Sequence, residues 1–337
     1  MNPLVAICLA VLYATAGFAP AQPNLSLDPA PGPFQPAAEY LRSCNGHALL
    51  IYRDSQLIFE EYLNGHRRDD SHRLASGTKS FVGVLAVLAA EDGLLKLDER
   101  AADTLTEWRN DARKSQVTIR QLLTLTSGIA GGETGEVPGY REAVRLAEAK
   151  FPPGERFQYG PVPFQCFGEL LRRKLAPRGE TVEGYLQRRL LDPVGIKPSG
   201  WRQDAEGQPH LCSGAVVTAR EWAKFGLLVL NQGRWEGQQL VPQARLAECF
   251  QRTKAHPGYG LTFWLNTSDE RPRDLVMAAG AGKQKLYLMP SLKLLIVQLA
   301  EAPRRFEERE FLRLVLAGLA HADGQKPAHK AAPGSAR

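Results

Sequence analysis

The sequence predicts an α+β fold, with a mainly antiparallel sheet flanked by helices and a second, all-α lobe. Strand patterns occur near both ends of the chain, whereas helical patterns separated by Gly/Pro loops dominate the middle. Strands from the two ends most simply pair into one antiparallel sheet, and the central helices then form the second lobe. The composition, 44% hydrophobic and 23% charged over 337 residues, excludes collagen, a coiled coil, a disordered chain and a polytopic membrane protein.

Residues 1–21 have the pattern of a secretory signal peptide. The run Leu4–Phe18 is almost wholly apolar, and Ala19-Pro20-Ala21 forms an A-x-A cleavage signal. This run is shorter than the roughly 20 residues that a membrane-spanning helix needs. We therefore expect a periplasmic or secreted protein with no stable membrane anchor after cleavage. The alternative is a cytosolic protein with an apolar N-terminus, which the absence of Lys and Arg from Met1-Asn2-Pro3 favours.

The remaining elements are predicted in chain order. A Pro-rich, extended lead-in covers residues 22–37, and a β-hairpin with strands at 47–53 and 56–62 follows. An apolar helix runs from Thr78 to Glu91 and ends at Asp92-Gly93. The tail 321–337 has no apolar periodicity and is expected to be disordered. Further helices are predicted at 119–126, 140–150, 164–175, 182–191, 219–231 and 305–319, and further strands at 260–266, 286–289 and 292–298.

These elements predict one domain over residues 38–320. Its sheet lobe covers approximately 38–92 and 210–320, and its helical lobe covers approximately 93–209. Ligand sites are common in the cleft between two such lobes. The sequence therefore places a candidate site where the lobes meet.

The charge pattern and the metal-binding residue types exclude some functions. The net charge of +6 is not gathered into a Lys/Arg stripe, so nucleic-acid binding is not predicted. The seven histidines are scattered and no H-E-x-x-H motif occurs, so neither a metal site nor a cofactor is predicted. The oligomeric state is not readable. Export would leave four cysteines that either pair in one of three connectivities or stay as buried thiols: Cys44, Cys166, Cys212 and Cys249.

Ser76-Gly77-Thr78-Lys79 is an S-x-x-K motif at the start of the predicted apolar helix. Residues three apart share one helix face, so the two side chains can meet. A serine hydroxyl becomes nucleophilic when a base takes its proton, and a desolvated lysine with a lowered pKa can be that base. The free N–H groups at a helix start favour developing negative charge. The alternative is a serine N-cap with a solvated lysine.

Several further segments occur in an order that resembles the class C β-lactamase-like serine hydrolases. This family also includes penicillin-binding proteins, esterases and 6-aminohexanoate-dimer hydrolases. The resemblance extends from about residue 47 to residue 299. The segments that carry it are 74–81, 91–98, 118–129, 153–159, 213–237, 259–264 and 278–284.

The resemblance implies an α/β domain and an all-α domain with the active site between them. It implies Ser76 as the acylated nucleophile, Lys79 as its base and Tyr159 as a proton shuttle whose pKa a neighbouring lysine can lower. Backbone N–H groups of Ser76 and Ala281 would form the oxyanion hole. Taken without the resemblance, Tyr159 would be a loop aromatic packed on the core.

The strand Ala278-Ala279-Gly280 falls where the family has K-T-G or H-x-G, and small residues there let a substrate lie close to the backbone. The alternative is a Gly-rich turn between strands. Ala279 and Gly280 are expected in the substrate pocket. Tyr259 and Trp264 are expected there with Phe263, although core packing explains these aromatics equally well.

Two positions depart from the family pattern. Pro161 replaces the Asn of Y-x-N, which in β-lactamases of this family holds the substrate amide. Ala278 replaces the Lys or His, so a positive group for a β-lactam carboxylate is expected to be missing.

The sequence therefore predicts an exported serine hydrolase that acts on a small ester, amide or peptide through an acyl-enzyme. Esterase or amidase activity is favoured over efficient β-lactamase activity, since both departures affect lactam recognition and leave the acyl-transfer residues in place. The alternative is a non-hydrolysing penicillin-binding protein or cell-wall-peptide sensor on the same scaffold.

Overall fold

The computed structural model describes residues 32–133, 135–301 and 305–324. It confirms the α+β class, with a mainly antiparallel sheet and helices around it. The predicted signal peptide, residues 22–31 of the lead-in and residues 325–337 of the tail lie outside the described residues. Within the described residues, no helix combines the length and the apolar character that crossing a membrane requires.

The main sheet joins strands from both ends of the chain, as predicted. Its strand order is β2-β1-β11-β10-β9-β8, and every pairing in it is antiparallel. The predicted hairpin is β1 and β2, and a smaller sheet has the order β3-β5-β4. The strands are β1 Gly46–Arg53, β2 Gln56–Tyr62, β3 Ser71–Arg73, β4 Gly200–Trp201, β5 Ala215–Thr218, β6 Arg234–Trp235, β7 Gln238–Gln239, β8 Trp264–Leu265, β9 Val276–Gly280, β10 Gln284–Met289 and β11 Leu294–Ala300.

Helices cover both faces of the main sheet. Along β1, Ala48 and Leu50 belong to one buried cluster while Leu49 and Ile51 belong to another, as the alternation of a strand requires. The first cluster contains α2 and α8, and the second contains α1 and α10. The helices are α1 Gln35–Ser43, α2 Lys79–Glu91, α3 Ile119–Leu123, α4 Tyr140–Leu146, α5 Val162–Leu175, α6 Val182–Leu186, α7 Asp192–Val194, α8 Ala219–Leu230, α9 Gln243–Ala247 and α10 Glu308–Gly324.

Some predicted boundaries are wrong at both ends of the domain. The extended lead-in was expected to reach residue 37, but α1 already begins at Gln35, because its apolar residues Ala37, Ala38 and Leu41 are buried beneath the sheet. The disordered tail was expected from residue 321, but α10 continues to Gly324. An apolar stripe holds α10 against the same face of the main sheet that α1 covers.

The predicted strand at 260–266 is reduced to β8, two residues long. Thr262 has a φ of 74°, and the backbone N–H of Gly260 bonds to the carbonyl of Phe263, so the chain turns where an extended strand was expected. The four cysteines of the described chain are buried and unpaired, which decides between the two alternatives in favour of free thiols.

Candidate active site

The S-x-x-K motif occupies the turn that opens α2. Residues Ala75–Thr78 form a single 3-10 turn that continues directly into the helix at Lys79. Ala75 has a φ of 47°, in the left-handed region that a residue with a side chain rarely adopts. The backbone N–H of Leu74 bonds to the carbonyl of Ala215 in β5, which anchors the start of the turn. The turn thus holds Ser76 and Lys79 on one side, as the spacing predicts.

Lys79 and Ser76 are in direct contact. The Nζ of Lys79 donates to the Oγ of Ser76 at 2.9 Å and to the carbonyl oxygen of Cys212 at 3.0 Å. The lysine side chain is buried, and burial lowers its pKa to about 8. Among the described residues, no carboxylate pairs with this ammonium, and its other neighbours are the rings of Tyr159 and Phe164. Burial therefore makes the neutral amine, the form that can act as a base, accessible at a lower pH than for an ordinary lysine.

Tyr159 lies beside this pair. The Nζ of Lys79 is 4.9 Å from the centroid of the tyrosine ring. Gly160, the next residue, lets the chain pass very close to the loop that contains Gly131. A Cβ at position 160 would lie 2.1 Å from the carbonyl oxygen of Gly131. The backbone N–H of Val162 bonds to that same oxygen at 3.0 Å. Backbone contacts therefore hold the chain directly after the tyrosine, and the ring itself stacks on Trp264 with centroids 5.7 Å apart.

The expected lowering of the Tyr159 pKa is wrong. Burial raises the pKa of the phenol above its ordinary value, and the hydrogen bond with Ser76 opposes that shift only in part. The physical reason is that Lys79, with a pKa of about 8, loses its charge before the phenol ionises and so does not stabilise the phenolate. Tyr159 is therefore a protonated phenol suited to donating a proton.

A cavity of about 780 Å³ opens above Ser76, Lys79 and Tyr159. Trp264, Ala279, Gly280 and Ala281 are among the residues that line it. Tyr259 is not a wall residue, which corrects its predicted place in the pocket. It is buried behind the wall, with its ring centroid 4.9 Å from that of Trp264 and 6.4 Å from that of Tyr159. Phe263 is likewise buried in the core.

The end of β9 lies against the turn that carries Ser76. A Cβ on Gly280 would lie 1.9 Å from the carbonyl oxygen of Leu74 and 3.0 Å from the amide nitrogen of Gly77. Any side chain at position 280 would therefore push the strand and the turn apart. This close approach brings Ala281 to the same cavity wall as Ser76. The close approach of a substrate to this strand stays a prediction.

Replacing Gly280 by alanine is expected to lower kcat/KM about a hundredfold, since a displacement near 1 Å at reacting groups has an effect of that size. The measurement is hydrolysis of a chromogenic short-chain ester. Gly200→Ala in β4 is the matched control, because a Cβ at Gly200 meets no atom within 4 Å. Equal losses in the two variants would contradict the role given to this backbone contact.

The cavity does contain positive groups, which corrects the expectation drawn from Ala278. Ala278 is buried in the core opposite Leu286 and does not line the cavity, so its identity does not set the cavity's charge. Arg73, Arg202 and Lys285 do line it. Lys285 lies opposite Ala279 in the β9–β10 pair, and its ammonium is 2.9 Å from the carboxylate of Glu308.

The sequence did not indicate either arginine of the cavity wall, nor the Cys212 carbonyl that accepts a hydrogen bond from Lys79. Arg73 ends β3, three residues before Ser76, and Arg202 directly follows β4. Both strands belong to the small sheet, whose two-to-four-residue strands are too short to give a periodic signal. The position of Arg73 so close to Ser76 was the one available clue.

The fold and the site together define a hydrolase of the β-lactamase-like class. The chain belongs to the Beta-lactamase family, whose family model matches residues 36–320.

Individual relatives agree with this assignment. An uncharacterized protein of Alkalihalophilus pseudofirmus is 21% identical over 291 residues, which cover 76% of this chain and 82% of the relative. A protein from Bacillus anthracis, provisionally assigned as a 6-aminohexanoate-dimer hydrolase, has a similar structure, with a TM-score of 0.71, 21% identity and coverage of 86% of this chain and 83% of the other. EstCE1, a hydrolase with promiscuous acyltransferase activity, gives a TM-score of 0.70 at 15% identity, over 85% and 97% of the two chains.

Proposed function

We propose that this protein is an exported serine hydrolase that cleaves a small ester or amide through an acyl-enzyme intermediate. The observation that carries the proposal is the 2.9 Å contact between Ser76 Oγ and a buried Lys79 ammonium that has no carboxylate partner among the described residues. The apolar run Leu4–Phe18 and its A-x-A signal support export. The family supports a hydrolase.

Each residue has a role in the proposed reaction. Neutral Lys79 takes the proton of Ser76 as Oγ attacks the substrate carbonyl carbon. The backbone N–H groups of Ser76 and Ala281 stabilise the oxyanion that forms. Tyr159 donates its proton to the leaving group, and the carbonyl re-forms as the acyl-enzyme. Water then attacks the acyl carbon and gives its proton to the Tyr159 phenolate, which restores the phenol. The Lys79 ammonium returns a proton to Ser76 Oγ as the bond to the acyl carbon breaks and the acid leaves.

Pro161 argues against a β-lactam substrate, whereas the charge of the cavity favours carboxylate-bearing substrates of any class. Pro161 lines the cavity two residues after Tyr159 and directly precedes α5. A proline has neither a side-chain donor nor a backbone N–H, so it cannot donate a hydrogen bond to a lactam amide. The unpaired guanidinium groups of Arg73 and Arg202 in the described cavity wall favour a substrate that carries a carboxylate beside its scissile bond.

The activity is expected to rise with pH until about 8 and then to level off, because Lys79 accepts a proton only when it is neutral and its pKa is about 8. Below that pH the neutral fraction falls about tenfold per pH unit. The measurement is kcat/KM for an uncharged ester as a function of pH. Tyr159→Phe should lower the rate but keep the midpoint. A midpoint near that of free histidine, about 6.5, would contradict the assignment of Lys79 as base.

Two measurements test the proposed function. The parent protein should turn over a chromogenic short-chain ester, and a fluorophosphonate should label it on Ser76, as peptide mass spectrometry would show. If the protein turned over the ester but the fluorophosphonate did not label Ser76, the proposal would be overturned.

A second candidate function is a slowly deacylating binding protein on the same scaffold. The observation that favours it is the pair Tyr159 and Pro161: the raised pKa of the phenol and the missing side-chain donor both affect the step in which water is activated. Stoichiometric labelling of Ser76 without ester turnover would select this function. Repeated turnover would exclude it.

A further inference from the structure

Three histidines from separate parts of the chain converge outside the cavity. His47 lies in β1, His66 in the connection after β2 and His72 in β3. Their ring centroids are 3.5 Å apart for His47 and His66, 5.0 Å for His47 and His72, and 5.1 Å for His66 and His72. One ring nitrogen from each lies within 4.8 Å of the others. The scattered histidines of the sequence thus give a cluster that the sequence did not predict.

The cluster is short of hydrogen-bonding partners. His47 is 4% exposed, and its Nδ1 is buried with no hydrogen bond to any group in the described part of the chain. The Nδ1 of His66 is also buried without one, although the carboxylate of Asp70 lies 3.9 Å away. Buried polar groups are almost always satisfied, so two unsatisfied nitrogens within one cluster of histidines need an explanation. A shared bound ion would satisfy them together.

We propose that His47, His66 and His72 form a binding site for Zn²⁺. Imidazole nitrogen is a preferred ligand of zinc, at about 2.0–2.1 Å, whereas calcium and magnesium select oxygen. Tetrahedral ligands at that distance stand about 3.4 Å apart, so metal binding would draw together the ring nitrogens, which now lie within 4.8 Å of one another. Water fills the fourth position.

The neighbouring groups suit such a site. Asp70 places a carboxylate oxygen 3.9 Å from the Nδ1 of His66, so a negative charge lies beside the proposed cation. The rings of His47 and His66, which stack at an interplanar angle of 19°, tilt apart when both bind one ion. No step of the proposed hydrolysis uses these groups, so the inference stands independently of the proposed function.

Metal binding would tie β1 to β3, and β3 leads through Arg73 into the turn that carries Ser76. A ligand that binds only the folded state stabilises it by mass action. We therefore expect Zn²⁺ to raise Tm by about 5 °C at a hundredfold excess over its Kd.

The experiment uses the full-length, tag-free protein after treatment with a chelator and dialysis against Zn²⁺. Elemental analysis should find about one equivalent of zinc per chain. Co²⁺ in its place should give the visible absorption bands of tetrahedral nitrogen coordination. His66→Ala and His72→Gln should each weaken Zn²⁺ binding by at least about tenfold in calorimetric titration.

His321→Ala, which alters an exposed histidine of α10, is the matched control and should bind zinc like the parent. Circular dichroism without metal shows whether His72→Gln folds, since glutamine keeps a polar side chain at that position. The proposal is overturned if the parent binds less than about a tenth of an equivalent, or if the cluster variants retain parental affinity.

Discussion

Replacing Ser76 by alanine is expected to reduce ester turnover by at least about 10⁴-fold, because removal of a nucleophile that acts together with its base eliminates the acyl-enzyme route. The structure gives the reason: Ser76 Oγ is the hydroxyl that Lys79 contacts at 2.9 Å, and it lies at the foot of the cavity. The measurement is kcat with a chromogenic short-chain ester at saturating concentration. The variant should also lose all fluorophosphonate labelling.

Ser213 offers a matched control within the same cavity. It lines the wall, but its hydroxyl contacts the Sγ of Cys212 at 3.5 Å, and no contact with Lys79 is seen in the described structure. Ser213→Ala should keep kcat within about tenfold of the parent. If the two variants exchanged these outcomes, the nucleophile would be Ser213 and the S-x-x-K serine would be a capping residue.

Replacing Lys79 by either methionine or arginine is expected to lower kcat by about 10³-fold. Methionine fills a similar volume without a base, and arginine keeps the charge but cannot lose its proton at accessible pH. The pair of variants therefore separates proton acceptance from charge. Recovery of a tenth or more of parental activity in Lys79→Arg would show that the charge of this residue matters and its basicity does not.

Thermal unfolding of Lys79→Met supplies an independent check. The folded pKa of Lys79, about 8, is below its ordinary value of 10.5. The cost of burying the ammonium is therefore present in full below pH 8 and disappears as the pH rises through 10.5. Removing the ammonium should therefore raise the free energy of unfolding at neutral pH by at most about 3 kcal/mol. The gain should shrink as the pH rises from 8 to 10.5. A destabilised variant at neutral pH would contradict the account of this side chain.

Local sequence patterns were sufficient for the parts of the fold that depend on neighbouring residues. The alternation in β1 and the apolar run of α2 were enough to predict those two elements. The spacing of Ser76 and Lys79 was enough to predict that their side chains meet. The order of the family segments added Tyr159, whose loop has no periodicity that would single it out. Strands from the two ends paired because each had a strongly apolar face.

Features that depend on long-range placement could not be predicted in this way. Tyr259 and Trp264 have similar surroundings in sequence, yet one is buried behind the other. The face on which Ala278 lies is set by the β9–β10 register, which no local signal specifies. The three clustered histidines are separated by up to 25 positions, from His47 to His72, and meet only because β1 and β3 are brought together.

The contact between Gly280 and the carbonyl of Leu74 also bears on how this enzyme could acquire new specificities. It spaces β9 from the nucleophile turn by main-chain atoms alone, so the separation does not depend on which side chains surround the cavity. Laboratory evolution toward new substrates should therefore accept changes at Trp264, Ala279 and Arg202 while rejecting them at Gly280. The scaffold keeps its reactive geometry constant and leaves the pocket wall free to diversify.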